Sequence, residues 1–379
     1  MLTYHTAGDS HGEALLGILE NYPAQVPLPA GKINQMLVRR QGGYGRSERQ
    51  QIERDEVRII AGVWRGKSTG APIGLMIKNR ADTSQETVPP RVVPRPGHAD
   101  LAGAWKHGWE QDINPVIERA SARETAMRTA IGAICALLLH ELEIDVLGHV
   151  RRIGTIAVPS SELSLTELRA RVTRSPFFCG DPQAEPALQE LVDTTRQAGD
   201  SLGGEVEIIA ENVPPGLGSL GQPESRLDAQ LALALMGIPS VKAVEIGAGI
   251  QASYQSGSAV HDEISIAGSQ ITHKTNHAGG VEGGMSNGER LIVHIFLKPI
   301  PTLIQPLASV NLQKGSVTKS PYIRSDVVVV PAASVVAEAM VAFVLARAIL
   351  EKFGHDHLND IQQALRDYQQ RLRFFAKPI

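Results

Sequence analysis

The chain has 379 residues, of which 42% are hydrophobic and 20% are charged, and its formal net charge is -3. This composition is typical of a globular protein, and without a basic excess the chain is not expected to bind nucleic acid or a membrane surface. Two cysteines, Cys135 and Cys179, are too few for a disulfide framework or a four-cysteine metal site. The N-terminus has no basic segment followed by a long apolar run, so a cytoplasmic protein is expected.

Strand-like and helical segments alternate along the chain. Strands are predicted over 57–64, 72–78, 204–213, 290–298 and 325–330. Helices are predicted over 122–140, 225–236 (with Ser225 as N-cap and Gly237 just past the end), 332–353 and 357–374, the last within a C-terminal helical segment at about 355–376. Two of these helices are apolar on nearly every face, which is typical of helices enclosed by other layers. The pattern therefore predicts sheets outside and helices inside, with an amphipathic helix packing at the C-terminus.

Arginines recur beside glycine, proline or a predicted helix start. They are Arg39, Arg40, Arg46 and Arg49 around three glycines in "RRQGGYGRSERQ", Arg95 in "RPGHAD", Arg119 and Arg123 in "ERASARETA", and Arg324 in "YIRSD". Guanidinium and backbone donors close together favour an oxyanion, and two arginines four residues apart would share one helical face. The alternatives are a solvated basic loop and ordinary ion pairs, with Glu118 and Glu124 neutralising neighbouring arginines.

Two histidines stand among small residues rather than on an apolar stripe. His11 in "AGDSHG" and His98 in "RPGHAD" are suited to a ligand-facing group that titrates near neutrality, and a structural role is the alternative. The pairs His273/His277 and His355/His357 have a spacing that a metal accepts, but no cysteine or carboxylate pattern supports them. No metal site is predicted.

Two glycine-rich segments favour close backbone approach to a ligand. The segment "NHAGGVEGGMSNG" (276–288) carries five glycines, and a multi-turn surface loop is the alternative. In "VKAVEIGAGIQA", Gly247, Gly249 and Ala252 have the spacing of a dinucleotide fingerprint. The residues that follow form turns rather than a helix, so a nicotinamide-dependent dehydrogenase is an unfavoured alternative.

Taken in order, the blocks "TAGDSHG", "RRQGGYGR", "RPGHADLAGA", "ERASARETA", "GDSLGGEVEI", "NHAGGVEGGMSNG", "KPIPT", "RSD" and "PAASVVAEAM" resemble the chorismate synthase family. The resemblance extends from residue 4 to about residue 350 and implies an α+β fold: a single-domain β-α-β sandwich over 1–379, with helices enclosed between antiparallel sheets, assembled as a homotetramer. It also implies a lyase of the shikimate pathway to aromatic amino acids. That reaction is an anti 1,4-elimination of phosphate from 5-enolpyruvylshikimate 3-phosphate to chorismate, requiring reduced FMN without net redox change.

The resemblance also assigns residues. His11 would give a proton to the leaving phosphate, His98 would protonate the reduced flavin, and Asp326 would lie near flavin N5. Substrate or NADPH would be bound by Arg40, Arg46, Arg49, Arg95 and Arg123. FMN would be contacted by Arg119, Ala120, Ser121, Pro239, Ser240, Gly283, Lys298, Pro299, Ile300, Pro301, Thr302 and Arg324.

Two questions remain open at the level of sequence. The flavin is reduced either by the protein's own use of NADPH or by an external flavin reductase. Departures from the family pattern, Glu48 within "GRSER" and Pro239-Ser240 where Asn-Ala is commoner, leave a non-catalytic homologue that binds flavin or anions as a second alternative. Release of phosphate distinguishes the elimination from this homologue and from a dehydrogenase.

Overall fold

The computed structural model of the chain describes residues 1–46, 54–80, 88–159, 163–268, 270–321 and 326–374, without the side chains of residues 270, 373 and 374. Two antiparallel sheets form its outer layers. The first has the order β1-β2-β6-β3, from Thr3–Ala7 (β1), Ala14–Glu20 (β2), Val57–Ala61 (β3) and Ile73–Lys78 (β6). The second has the order β10-β15-β9-β7-β8, from Asp145–Ile153 (β7), Ile156–Ala157 (β8), Gly204–Glu211 (β9), Val241–Ile246 (β10) and Leu291–Leu297 (β15).

Among the described residues, four two-stranded antiparallel ribbons lie outside these two sheets. They are Val63–Trp64 (β4) with Lys67–Ser68 (β5), Ile264–Ala267 (β11) with Gln270–His273 (β12), Val281–Glu282 (β13) with Met285–Ser286 (β14), and Ala308–Asn311 (β16) with Ser316–Lys319 (β17). The helices are Ala30–Gln41 (α1), Asp100–His107 (α2), Asn114–Ala120 (α3), Thr125–His140 (α4), Leu165–Arg174 (α5), Glu185–Ala198 (α6), Leu227–Met236 (α7), Gly249–Ala252 (α8), Gly257–Val260 (α9), Val330–Phe353 (α10) and Leu358–Phe374 (α11).

The apolar helices α4 and α10 lie side by side between the two sheets. Helix α4 packs on β2 and β6 of the first sheet, and α10 packs on β7 and β9 of the second. Close approach depends on glycine, because a Cβ at Gly132 of α4 would lie 2.3 Å from the carbonyl oxygen of Ala339 in α10. This arrangement confirms the prediction of helices enclosed between antiparallel sheets.

Helix α10 is long and apolar enough to cross a membrane, but 94% of its most apolar window is buried inside the protein. Its apolar character is therefore explained by the layers on both sides of it. The C-terminal helix α11 packs against the outer part of α10, as its amphipathic sequence predicts.

Several predicted boundaries are wrong. Within the described part of the run 325–330, residues 326–330 do not form a strand: Val328 makes one isolated bridge with Leu202, and α10 begins at Val330, because proline is tolerated in the first helical turn. Ser225 lies in a 3-10 turn rather than at an N-cap, and Arg226 precedes α7, whereas Gly237 does follow its last residue. The run 57–64 breaks at Gly62, whose φ of 81° turns the chain out of β3.

Candidate active site

The loop between β1 and β2 presents His11. A glycine is required at its start, because Gly8 has φ 117° and a Cβ there would lie 2.5 Å from the carbonyl oxygen of Ala14. Glu118 in α3 accepts hydrogen bonds from the backbone N–H of His11 and contacts its Nδ1, both at 2.8 Å. Burial alone would raise the pKa of Glu118, but the hydrogen bonds from His11 outweigh burial and lower it. The carboxylate therefore holds both the backbone and the imidazole Nδ1 of His11.

A buried carboxylate, Asp55, lies between two arginines. Its Oδ1 is 2.5 Å from Nη1 of Arg123, and its Oδ2 is 3.3 Å from Nη1 of Arg40. Arg40 also donates from Nε to the Thr125 hydroxyl and from Nη2 to the Ala122 carbonyl, both at 3.0 Å. Burial lowers the pKa of Arg40 to about 10 although Asp55 opposes this shift. All three guanidinium nitrogens of Arg40 thus contact the protein.

Arg46 and Arg123, in contrast, each keep a buried nitrogen without a partner. Arg46 pairs with Asp326 at 3.0 Å through Nη1, and burial lowers its pKa although Asp326 and Asp55 oppose the shift. Among the described residues, Nε of Arg46 and Nη2 of Arg123 are buried and have no hydrogen-bond partner. A buried donor without an acceptor is costly, so these two N–H groups fit an anionic ligand such as a carboxylate or phosphate.

His98 and Arg95 share a second buried carboxylate, Asp100, at the start of α2. His98 Nδ1 is 2.5 Å from Oδ1 of Asp100, and Arg95 Nε donates to Oδ2 at 2.8 Å. Burial alone would raise the pKa of Asp100, but the bonds from His98 and Arg95 hold it well below its usual range. Arg95 Nη1 also reaches the hydroxyl of Thr302 at 3.4 Å. His98 is therefore held at Nδ1 by Asp100, and its Nε2 lies 3.3 Å from Nη2 of Arg95.

Some of the segments predicted to contact a flavin are hydrogen-bonded to the loops that carry His11 or His98. Lys298 donates its backbone N–H to the carbonyl of Ser240 at 2.9 Å, and its Nζ donates to the carbonyl of Gly97, next to His98. Ser121 bonds the hydroxyl of Ser10, beside His11, at 3.0 Å. Segment 119–121 is thus joined to the His11 loop and segment 298–302 to the His98 loop, whereas 239–240 is joined to Lys298.

The cationic groups of this region fit a flavin phosphate. Arg119 is exposed and Lys298 half-buried, and neither forms an ion pair with a described residue. Unpaired cations at a rim are the donor set that a phosphate group requires. The residues present therefore fit FMN as the implied cofactor.

Gly283 is not brought to this region within one chain. It lies between β13 and β14, where the neighbouring Gly284 accepts from the N–H of Leu227 at the start of α7. Ser240 follows the opposite end of α7, and a helix of that length spans roughly 15 Å. The predicted contacts at Gly283 and at Ser240 are therefore separated by about the length of α7.

The predicted common helical face of Arg119 and Arg123 is wrong. Arg119 is in the last turn of α3, the chain is extended at Ser121, and Arg123 is in a separate 3-10 turn over Ala122–Glu124. The ion-pair alternative holds for Glu124, which pairs with Arg128 at 3.0 Å, whereas Glu118 pairs with His11. Arg49, Arg324 and Glu48 lie outside the described residues.

The structure gives no support to a dinucleotide fold at "GAGIQA". The expectation that no helix follows is wrong in detail, because α8 is there, but it has only one turn. The preceding strand β10 pairs antiparallel with β15 at the edge of the second sheet, whereas the fingerprint requires a parallel βαβ unit. Within the described residues, no group of three or more histidine, cysteine or acidic side chains is arranged to hold a metal.

The sequence analysis did not predict which residues hold the proposed site residues in place. These positioning residues are Asp55, Asn79, Asp100, Glu118 and Thr125, of which Glu118 was considered only as a partner of arginines. Asp100 and Glu118 stand two residues after His98 and one before Arg119, so sequence proximity was a usable signal for them. Asn79 directly follows strand β6, and Asp55 precedes strand β3, positions from which polar side chains reach a sheet edge. Their partners come from distant segments, which spacing alone does not reveal.

The chain is similar to known proteins over nearly its whole length. The family model for chorismate synthase matches residues 2–350. A chorismate synthase from Moorella thermoacetica is 51% identical over 98% of this chain and 100% of its own length, and one from Desulforudis audaxviator is 48% identical over 98% of each chain. A solved structure described as the crystal structure of chorismate synthase has 37% identity and a TM-score of 0.82, and the match covers 99% of both chains.

Proposed function

Since the chain belongs to the chorismate synthase family, we propose that it is a lyase that eliminates phosphate from 5-enolpyruvylshikimate 3-phosphate to give chorismate. The observation that carries this proposal is the pair of buried guanidinium N–H groups, on Arg46 and Arg123, that have no partner among the described residues. They lie in the same arginine cluster as Asp55 and Asp326. An elimination substrate with two carboxylates and a phosphate supplies the missing acceptors.

The arginines have distinct tasks in this proposal. Arg46 and Arg123 donate to substrate anions, and Arg95, held by Asp100, supplies a further cation near His98. Arg40 contributes charge to the cluster while its own nitrogens stay bonded to the protein. Bringing several negative charges into one pocket requires such compensation, because unpaired they would repel and remain hydrated. Arg49 and Arg324 belong to the proposed set by family resemblance.

Proton handling is assigned to the two histidines. His11, held through Nδ1 by Glu118, protonates the departing phosphate and so lowers its charge as it leaves. His98, held through Nδ1 by Asp100, is the group that would protonate the reduced flavin. Asp326, beside Arg46, is the carboxylate assigned to assist removal of the C6 proton. Reduced FMN, when bound, would supply transient electron density for C–O cleavage and recover it, so that no net redox change results.

The flavin would be held by the segments that the geometry joins to these histidines. They are Arg119 to Ser121, Pro239 and Ser240, and Lys298 to Thr302. Gly283 belongs to the proposed flavin set by family resemblance, and so does the homotetramer. A cytoplasmic location, and NADPH or an external reductase as the source of electrons, complete the proposal.

An anaerobic assay tests this function. Purified protein is mixed with 5-enolpyruvylshikimate 3-phosphate and chemically reduced FMN, and chorismate absorbance, phosphate and flavin absorbance are followed together. Equal appearance of chorismate and phosphate, with the flavin still reduced, is expected. His11→Ala and His98→Ala should fold and bind FMN but lose most turnover. Folded, FMN-binding protein that releases no phosphate would indicate a non-catalytic homologue, and net NADPH oxidation without phosphate would indicate a dehydrogenase.

A further inference from the structure

Asn79 links two parts of the candidate site. It directly follows β6, and only 2% of the residue is exposed. Its Nδ2 donates to the carbonyl oxygens of Asp9 at 3.0 Å and Gly12 at 2.7 Å, while its Oδ1 accepts from Nε of Arg123 at 2.9 Å. One buried amide therefore bonds both to the loop that carries His11 and to an arginine of the anion site.

The chemistry of its neighbours requires an amide at position 79. Carbonyl oxygens only accept hydrogen bonds and a guanidinium nitrogen only donates, so the orientation of the amide is unambiguous. A carboxylate at the same place would keep an acceptor for Arg123 but would direct its second oxygen at two carbonyls.

The contact fixes the direction of the free donor of Arg123. Asn79 holds Nε, Asp55 holds Nη1 at 2.5 Å, and Nη2 is the buried nitrogen without a partner. Because the guanidinium is planar and rigid, holding two of its nitrogens determines where the third points. The ligand-facing N–H of Arg123 is thus set by Asn79 and Asp55 together.

The same amide holds the His11 loop from the opposite side to Glu118. Glu118 bonds the backbone and the ring of His11 from α3. Asn79 bonds the carbonyls two residues before and one residue after His11. The backbone N–H of Asn79 adds a bond to the carbonyl of Glu13 at 3.0 Å. The loop is therefore attached to the end of β6 on one side and to α3 on the other.

We propose that Asn79 is a positioning residue that sets the separation between the His11 imidazole and the free N–H of Arg123. Its function is to match that separation to one substrate, in which an anionic group and a leaving phosphate lie at a fixed distance. The inference rests on the proposed function, since it assigns His11 and Arg123 to the same substrate.

The test compares Asn79→Ala and Asn79→Asp with the wild-type chain. Binding of 5-enolpyruvylshikimate 3-phosphate to the FMN-free protein is measured by calorimetry, His11 is followed by its imidazole ¹⁵N chemical shifts, and turnover is measured in the anaerobic assay. Asn79→Ala should weaken binding roughly tenfold, lower kcat and shift the His11 signals. Asn79→Asp keeps an acceptor for Arg123 but should not restore kcat, because the loop carbonyls lose their donor.

The matched control is Gln362→Ala, which removes an amide bond to the carbonyl of Glu141 at 3.0 Å, between α11 and the turn after α4. It should lower the melting temperature only. If Asn79→Ala also lowers only the melting temperature, Asn79 has a structural role and the proposal is wrong. Should Asn79→Ala not fold, Asn79→Ser keeps one hydroxyl donor and serves the same comparison. A wild-type chain without phosphate release overturns the proposed function, whereas active wild type with unaltered Asn79 variants overturns this inference alone.

Discussion

At the scale of single residues, the arginines of the site differ in how many nitrogens the protein occupies. Arg40 bonds Thr125, Asp55 and Ala122, whereas Arg123 keeps one buried nitrogen without a described partner. Arg40 lies near glycines and Arg123 near a predicted helix start, and sequence reasoning placed both in one class of anion-binding arginines. The difference depends on acceptors supplied by other elements, which is why the residue types of the site were predictable and their individual roles were not.

Replacing Arg123 should affect ligand binding more than folding. Arg123→Ala removes the unpartnered donor, while Asp55 retains its pair with Arg40. Since hydrogen bonds to charged groups contribute about 1.5–3 kcal/mol, the Kd for 5-enolpyruvylshikimate 3-phosphate should rise by roughly tenfold to a hundredfold. Calorimetry on the FMN-free protein measures this change. Arg169→Ala, which loses a surface pair with Asp145, is the control and should bind as the wild type does.

At the scale of elements, apolar periodicity predicted the enclosed helices and most strands, and failed where short-range chemistry decides the boundary. The valines of 325–330 have high strand propensity, yet Pro331 and the docking of α10 against β7 make the last of them helical. The break between Arg119 and Arg123 is likewise local, because Ser121 leaves the helical region and its hydroxyl accepts from the N–H of Arg123.

The crossing of α4 and α10 predicts an unusual response to a glycine substitution. Gly132→Ala would normally favour a helix, but its Cβ would lie 2.3 Å from the carbonyl oxygen of Ala339. We expect a loss of about 2 kcal/mol or more in the free energy of unfolding, measured by chemical denaturation. Gly31→Ala in α1 is the control, because no atom lies within 4 Å of its Cβ, and it should gain up to about 1 kcal/mol. Equal stability of the two variants would mean that the helices are not in backbone contact.

A histidine–glutamate row across three strands of the second sheet predicts acid sensitivity. His149, Glu207 and His294 are register partners on β7, β9 and β15, and Glu207 contacts His149 at 2.8 Å and His294 at 3.3 Å. Burial alone would raise the pKa of Glu207, but these histidines lower it from 4.5 to about 2. Because the pKa of Glu207 is lower in the folded state than in the unfolded state, its ionisation stabilises the fold at pH values above the unfolded-state pKa. This stabilisation is lost as the pH falls from about 4.5 to about 2.

Glu207→Gln should remove that part of the pH dependence, which is at most roughly 3 kcal/mol. Urea unfolding at several pH values across this window measures it. Glu351→Gln is the control, because Glu351 pairs with Arg347 on the surface of α10 and its removal should leave the acid dependence unchanged. A Glu207→Gln protein that loses stability with acid as steeply as the wild type would contradict the assignment.

At the scale of the whole molecule, a chain with net charge -3 concentrates arginines at one place. Asp55, Asp100 and Asp326 make this possible, because each is paired with an arginine of the site. Composition excluded a general polyanion binder, and the buried carboxylates show how a local cation cluster exists within a slightly acidic protein. The motifs predicted the arginines and Asp326 but not the role of Asp55, because its partners Arg40 and Arg123 come from other parts of the chain.

The ribbon of β11 and β12 predicts where copies of the chain meet. Ile266 is opposite Ile271 in the ribbon and Ile264 is two residues away on the same face, with exposures of 70%, 56% and 72%. Three exposed isoleucines on one face are typical of a protein interface. Because a homotetramer is proposed for this chain, we expect this face to be covered by a second copy.

Ile266→Lys should therefore reduce the molar mass in solution, measured by size-exclusion chromatography with light scattering, because a buried unpaired ammonium group is costly in an apolar contact. Leu220→Lys is the control: Leu220 is 76% exposed and is flanked in the chain by Ser219 and Gly221, so its replacement should leave the mass unchanged. If Ile266→Lys keeps the wild-type mass, the isoleucine face is not the interface. A wild-type chain that is monomeric would contradict the homotetramer itself.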